Sequence, residues 1–301
     1  MGWVAAALGS TALFALVTVL DKKLVVSFFP SATLFNLTFG LLQFFVAAFF
    51  FVVFVPVVGL DVAGIPWAVA SGFAWALALF LFFHGLRLEE VSRATPIQMT
   101  APVFAALLAV VFLGETLSWA QWLAVVVVVA GAALVTAKPS GVGIGIARGK
   151  ALAILVAASV VLGVAYVLNK EATNNANIWT VQSVRAVGMG TGMLLMTARA
   201  PALRQLPMVL LNPRAMRLFF ITEGILAPVA GVLFVVALSL GPVSLVSATM
   251  SSRPLFVLVI SVLLSTSFWN VLNEPLDRAT LVLKTVSTAL IVLGVTGLAV
   301  L

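Results

Sequence analysis

Two arginines, Arg185 and Arg253, stand near the middles of long apolar runs, and one glutamate, Glu223, stands within another. A charge at such depth in hydrocarbon costs about 2.5 kcal/mol or more, so it needs a partner or a purpose. Pro254 follows Arg253 directly, and proline leaves the carbonyl one turn earlier without its donor; a broken helix beside a midplane charge is a common way to build a binding site in a membrane. A guanidinium pairs bidentately with a carboxylate or a phosphate, so Arg253 and Arg185 suit the anionic group of a substrate. The competing reading neutralises each arginine internally. Glu223 is the obvious partner, at about 7 Å from the depth of Arg253 by helical rise. Alternatively Glu223 changes protonation and carries a coupling proton.

Further polar residues interrupt the same runs: Asn36, Gln43, Gln98, Tyr166, Asn169 and Gln182, with Trp75 also at depth. Together with the arginines they form a candidate substrate-binding set, although each could instead bond a neighbouring helix. Glu115 and Glu274 lie at turns and are expected to satisfy the N-terminus of the helix that follows. Asp21, Lys22 and Lys23 are expected at the membrane surface, solvated, and His84 near a helix end. Gly188, Gly190 and Gly192 lie inside an apolar run with no strand before them, so they are not a nucleotide loop; Gly188 and Gly192 fit small-residue packing between helices.

These residues sit on an unusual frame. Of 301 residues, 63% are hydrophobic and 8% charged, with a mean hydropathy of +1.25, about a third of the charge that a water-soluble chain carries. Ten runs reach the ~20 residues that span a bilayer, at about 3–27, 33–57, 64–86, 92–113, 118–137, 150–169, 177–198, 217–240, 243–265 and 280–300. They are uniformly apolar rather than alternating, which selects helices over a β-barrel. The fold class expected is therefore an all-α integral membrane protein of ten transmembrane helices. Ser118 with Gln121 reads as a capping box opening the fifth. Met1 to Leu20 contain no Lys or Arg, so the first run is read as a retained helix. Trp3, Trp67, Trp119, Trp122, Trp179 and Trp269 gather near run ends, as an aromatic belt does.

The net charge of +7 does not indicate nucleic acid, because the basic residues cap apolar runs instead of forming a patch. Loops after odd-numbered helices hold Lys22, Lys23, Arg87, Arg93, Lys138, Arg148, Lys150, Arg199, Arg204, Arg214, Arg217 and Arg278, whereas the opposite side holds Lys170. The positive-inside rule then places the odd loops in the cytoplasm and both termini outside, in a multi-pass protein of the cytoplasmic membrane.

The sequence also repeats itself. Val91-Ser92 and Val243-Ser244 are 152 positions apart, as are Pro102 and Pro254, Phe104 and Phe256, and Leu88 and Leu240. Val19-Leu20-Asp21-Lys22 is similar to Val167-Leu168-Asn169-Lys170, and Leu113-Gly-Glu115-Thr-Leu117 to Leu272-Asn-Glu274-Pro-Leu276. Residues 1–139 and 149–301 thus form two five-helix units. Five is odd, so the second enters the membrane from the other side. Inverted repeats of this kind create two related arrangements open to opposite faces, the geometry of alternating access.

The chain resembles the EamA-type branch of the drug/metabolite transporter superfamily. The resemblance rests on Lys22 and Lys170, Ala94 to Pro102, Gly114-Glu115-Thr116-Leu117 with Gln121 and Gly131, Arg185, Pro254 and Gly294. It implies ten helices in two repeats and export of amino acids or other small metabolites. Asn36 stands roughly where the family often has Arg, and Ser265 to Arg278 replace a usual short turn.

One histidine and no cysteine, with no His-Glu-x-x-His and no Gly-x-Ser-x-Gly, argue against an enzyme. A channel needs a constriction ring, usually from several subunits. A flippase for a phosphate-bearing lipid is the alternative, since arginines in a cavity suit a lipid phosphate. The partners expected are a small-molecule substrate and the bilayer, with no cofactor and no nucleic acid, in a monomer or weak homodimer.

Overall fold

The computed structural model describes residues 2–85, 88, 97–98, 100–136, 149–265, 286–287, 289–294 and 297. Among these there are helices and no strand. α1 spans Gly2–Ser27, α2 Ala32–Val58, α3 Ile65–Gly85 behind a 3₁₀ turn at Val62–Gly64, α4 Ala101–Leu113 and α5 Trp119–Thr136. α6 (Lys150–Asn175) and α7 (Ile178–Thr197) follow, then the short α8 (Ala200–Leu210) and α9 (Pro213–Phe219). A π-helical turn at Phe220–Leu226 joins α9 to α10 (Ala227–Leu240), and α11 (Val243–Met250) and α12 (Arg253–Ser265) complete the sequence of full helices. By length and apolar composition five stretches can cross a membrane: Gly2–Val25, Ala32–Val58, Val62–Gly85, Lys150–Asn175 and Pro213–Leu240. Ala101–Leu113 and Trp119–Gly131 are shorter apolar helices. Their outward faces carry Phe45, Val52, Val57, Val111, Phe112 and Leu195 exposed, as side chains dissolved in lipid are.

Residues 199–216, which the sequence reads as a loop, are mostly helical. α8 lays Ala202, Leu206 and Val209 onto a cluster of Leu24, Phe35 and Phe219, and turns Arg204 outward. Such an amphipathic segment fits the interface plane. The expected fourth and tenth runs lie partly outside the described residues, as does Glu274.

Small residues set how closely the helices pack. A Cβ added at Gly72 of α3 would lie 2.0 Å from the carbonyl oxygen of Arg185 on α7, and one at Gly188 of α7 would lie 2.2 Å from that of Val69. Gly192 meets Ala76 in the same crossing, and Gly40 of α2 meets Met193 and Gly190. The sequence reading of Gly188 and Gly192 as helix-packing residues therefore holds within one chain. Bilayer helices gain no hydrophobic driving force from each other, so close backbone approach supplies the van der Waals contact.

Capping fixes where the helices start. Ser118 and Gln121 form the expected box: the Gln121 side chain accepts from Ser118 N at 2.9 Å, and Ser118 Oγ accepts from Gln121 N at 3.2 Å. Asn177 opens α7 by accepting from Trp179 N at 3.1 Å and Thr180 N at 3.0 Å. Its amide also donates to Asp61 at 2.7 Å and to the Gly59 carbonyl at 3.0 Å, which ties the turn before α3 to the start of α7. Asn177→Ala is expected to lower stability by about 1–2 kcal/mol, read as a lower melting temperature in detergent with an unchanged elution profile.

Candidate functional site

Two helix interruptions build the site. The first is at Arg253. Pro254 has no N–H for the Met250 carbonyl, and the chain makes a turn at Ser251–Ser252 between α11 and α12. Ser252 closes this turn by donating to the Thr249 carbonyl from both its N–H at 3.0 Å and its Oγ at 2.7 Å. The second is the π turn that contains Glu223. Pro228 cannot bond Gly224 in the α-helical pattern, and the Ala227 N–H bonds the Thr222 carbonyl, five residues back. Insertions of this type are frequent at functional sites. Sequence reasoning finds the first break from Pro254 and misses the second, for which Pro228 is the available signal.

Between these breaks lies a cavity of about 180 Å³. Its wall comes from the later halves of α1 and α3, the earlier half of α2, the middle of α7, and the two interrupted segments. Seven of the ten residues singled out in the sequence line it: Arg253, Arg185, Gln43, Asn36, Gln182, Trp75 and Glu223. Phe14, Phe35, Phe39 and Phe83 supply aromatic wall that the sequence reading leaves unassigned.

The other three lie elsewhere. Tyr166 is buried behind Trp75, with ring centroids 5.3 Å apart, and both rings pack on Phe234. These ring contacts back Trp75 at the cavity wall. Asn169 is fully buried and neither of its amide atoms has a partner. Gln98 is partly buried and is not among the lining residues.

The pairing of Glu223 with an arginine is not what the structure shows. Glu223 instead brings its carboxyl within hydrogen-bond reach of Asp21. Asp21, expected to be solvated at the membrane surface, faces the cavity, and its Oδ1 is buried without a partner. Lys22 beside it is exposed. The helix turns successive side chains by about 100°, so a surface lysine and a cavity-facing aspartate are compatible neighbours.

Neither arginine meets a carboxylate among the described residues. Arg185 Nη2 donates to Gln182 Oε1 at 3.0 Å, and its guanidinium carbon stands 5.6 Å from the Trp75 ring centre. Its Nε is buried and unpartnered. The Arg253 guanidinium carbon stands 4.9 Å over the Phe14 ring. Aromatic faces stabilise a desolvated cation by about 2 kcal/mol and leave the N–H fork directed at other acceptors. The arrangement can therefore take up an anionic group.

Opposite the cavity, two charged side chains pin the turn between α10 and α11. Glu115 accepts from Val243 N at 2.6 Å, Ser244 N at 3.2 Å and Ser244 Oγ at 2.7 Å. Lys170 Nζ donates to the carbonyls of Leu238 at 2.6 Å and Gly241 at 3.1 Å. The turn thus has its free N–H groups held by an anion and its free carbonyls by a cation, as the helix dipoles require. Glu115 caps a helix more than a hundred residues away, rather than the following helix as expected. Because charged hydrogen bonds contribute about 1.5–3 kcal/mol, Glu115→Ala is expected to lower the melting temperature more than Asn177→Ala, and Lys170→Met to do likewise.

The EamA-like transporter family matches over residues 1–137, from α1 to the end of α5. A 64-residue stretch is 36% identical to an uncharacterised transporter encoded in the cobO 3′ region of a Sinorhizobium species. That stretch is 21% of this chain, and the chain spans 45% of the relative's length. A solved crystal structure of another protein overlaps 98% of this chain and 96% of its own, with a TM-score of 0.69 at 19% identity, which is a likeness of fold alone. The EamA match and the apolar helices together support a multi-pass membrane protein.

Proposed function

We propose that the chain is a secondary transporter of the drug/metabolite transporter superfamily that exports small organic anions by alternating access. Ten spans in two inverted units, residues 1–139 and 149–301, enclose the cavity, with the odd loops in the cytoplasm and both termini outside. The observation that carries the reading is a pair of arginines, the buried Arg185 and the half-buried Arg253, that line a cavity and meet no carboxylate among the described residues. A fixed structural charge would be neutralised by a neighbour; here Arg185 keeps a buried Nε without a partner beside its bond to Gln182, and Arg253 rests on the Phe14 ring, which leaves N–H groups for a ligand.

Several features support inversion. α1 packs along α10 as α6 packs along α3, and α1 meets α11 and α12 as α6 meets α4. Those pairings exchange when the two units are exchanged. Pro254 follows the turn at the head of α12 just as Pro102 follows the Thr100 turn at the head of α4. The cavity is lined by the middle of the 213–240 span, at Glu223, Ala227 and Pro228, and the pinned turn closes its far end, Leu238 being about 22 Å from Glu223 along the helix. Access is thus from the side that bears Lys22 and Lys23.

The volume favours a small solute. A cavity of about 150 Å³ accommodates benzene, and 180 Å³ is only slightly larger. A carboxylate on the arginines with a compact apolar body among the phenylalanines fits that space better than a phospholipid headgroup. Proteoliposomes containing the whole chain test this with a panel of lactate, benzoate, aromatic amino acids and glycerol phosphate. Counterflow of one or more carboxylates, absent from protein-free liposomes, is expected; no flux of any panel member would contradict the anion assignment.

A further inference from the structure

The contact between Asp21 and Glu223 has a chemical requirement. An ionised carboxylate only accepts hydrogen bonds, so two carboxyls within bonding reach of each other make that bond only when one of them carries a proton. Glu223 is 4% exposed, and Asp21 keeps one buried oxygen without a partner. Both line the cavity that the arginines line. The charged groups around the pair are Arg185 from α7 and Arg253 from the head of α12; Lys22 and Lys23 follow Asp21 on α1, Arg214 and Arg217 lie exposed on α9, and α2 brings only the neutral Asn36 and Gln43. A second feature points to a ligand independently: the buried Arg185 Nε in the same wall has no partner.

We propose that Asp21 and Glu223 together bind one exchangeable proton, and that this proton and an anionic substrate occupy the cavity together. The inference rests on the carrier reading above. With one proton on the pair, two guanidiniums face one carboxylate and the cavity is net positive. Without it, two carboxylates cancel two guanidiniums and the attraction for an anion falls. Proton and anion therefore raise each other's affinity, which is reciprocal coupling between two sites. In the step itself a proton from water on the open face adds to one carboxyl oxygen. It returns to water on the other face when the anion leaves, and no bond to the substrate forms or breaks. An exporter built this way releases a metabolic acid as anion plus proton, down the acid's own gradient.

Infrared spectroscopy of the full chain in lipid at neutral pH tests the pair without any substrate. The wild type is expected to show the carbonyl stretch of a protonated carboxylic acid. The Asp21→Asn/Glu223→Gln double variant is expected to lose it, and the Asp61→Asn control, altered at a loop carboxylate, to keep it. Each single variant, Asp21→Asn or Glu223→Gln, is expected to shift or remove the band, which covers the case in which the double variant does not fold. Absence of an acid band from the wild type, or its persistence unchanged in folded variants, overturns the proposal. Coupling is read in proteoliposomes with a pH-sensitive dye inside: for each carboxylate carried, one proton is expected to accompany it, and Glu223→Gln is expected to remove the proton signal. Carboxylate flux with no proton movement overturns coupling and leaves the carrier standing, whereas a chain that shows the band and carries no carboxylate overturns the carrier reading itself.

Discussion

Arg253→Ala abolishes carboxylate flux while the protein still elutes as a single folded species: this is the expected result if the cavity binds an anion. Arg253 sits where Pro254 has opened the helix, over Phe14, and pairs with no carboxylate among the described residues. Losing a desolvated charged partner costs about 2–5 kcal/mol, which is at least about thirtyfold in affinity. The structural loss is smaller, about that of one cation–ring contact, so flux and melting temperature separate. Arg253→Lys keeps the charge and loses the planar fork, and its flux is expected to fall between the two. A substitution that left flux unchanged would mean that the guanidinium does not touch what is carried.

The second large effect is expected far from any charge. Gly72→Val places carbon within 2.0 Å of the Arg185 carbonyl oxygen and 2.7 Å of the Met189 nitrogen. Both are backbone atoms, so no rotamer change relieves the overlap and α3 and α7 must part. The expected cost is about 3 kcal/mol, with loss of flux as well, because α7 carries Arg185 and Gln182 into the cavity. Gly2→Ala is the comparison: its nearest neighbour would be 3.5 Å away and the protein is expected to be unaffected. Thermal unfolding in detergent separates the two variants.

What could be read from the sequence follows a physical rule. Features set by local chemistry were legible. The break at Arg253 follows from proline lacking a donor, the start of α5 from Ser118 and Gln121, and the close crossing of α3 and α7 from glycines four apart on α7. Most of the cavity wall was legible too, since a polar side chain inside an apolar run has few places to go. What was not legible depends on which distant segments meet. Glu115 looked like a local cap, and only the fold brings Val243 to it. Glu223 and Arg253 have similar depths, but depth says nothing of azimuth, and Glu223 turns toward α1. Asp21 was assigned to the surface by its neighbours Lys22 and Lys23, although its own direction on the helix differs from theirs. Asn169, the counterpart of Asp21 in the other unit, is buried with no partner, and the structure gives no account of it.

The central claim is that the two units are inverted. The chain contains no cysteine, so single cysteines can be placed without background. Ser27 and Asn175 are exposed at the ends of α1 and α6 and occupy equivalent positions in the repeat. In intact cells, Asn175→Cys is expected to react with a membrane-impermeant maleimide, and Ser27→Cys to react only after the membrane is opened. Labelling of both from the same side would place the two units in the same orientation and contradict the account.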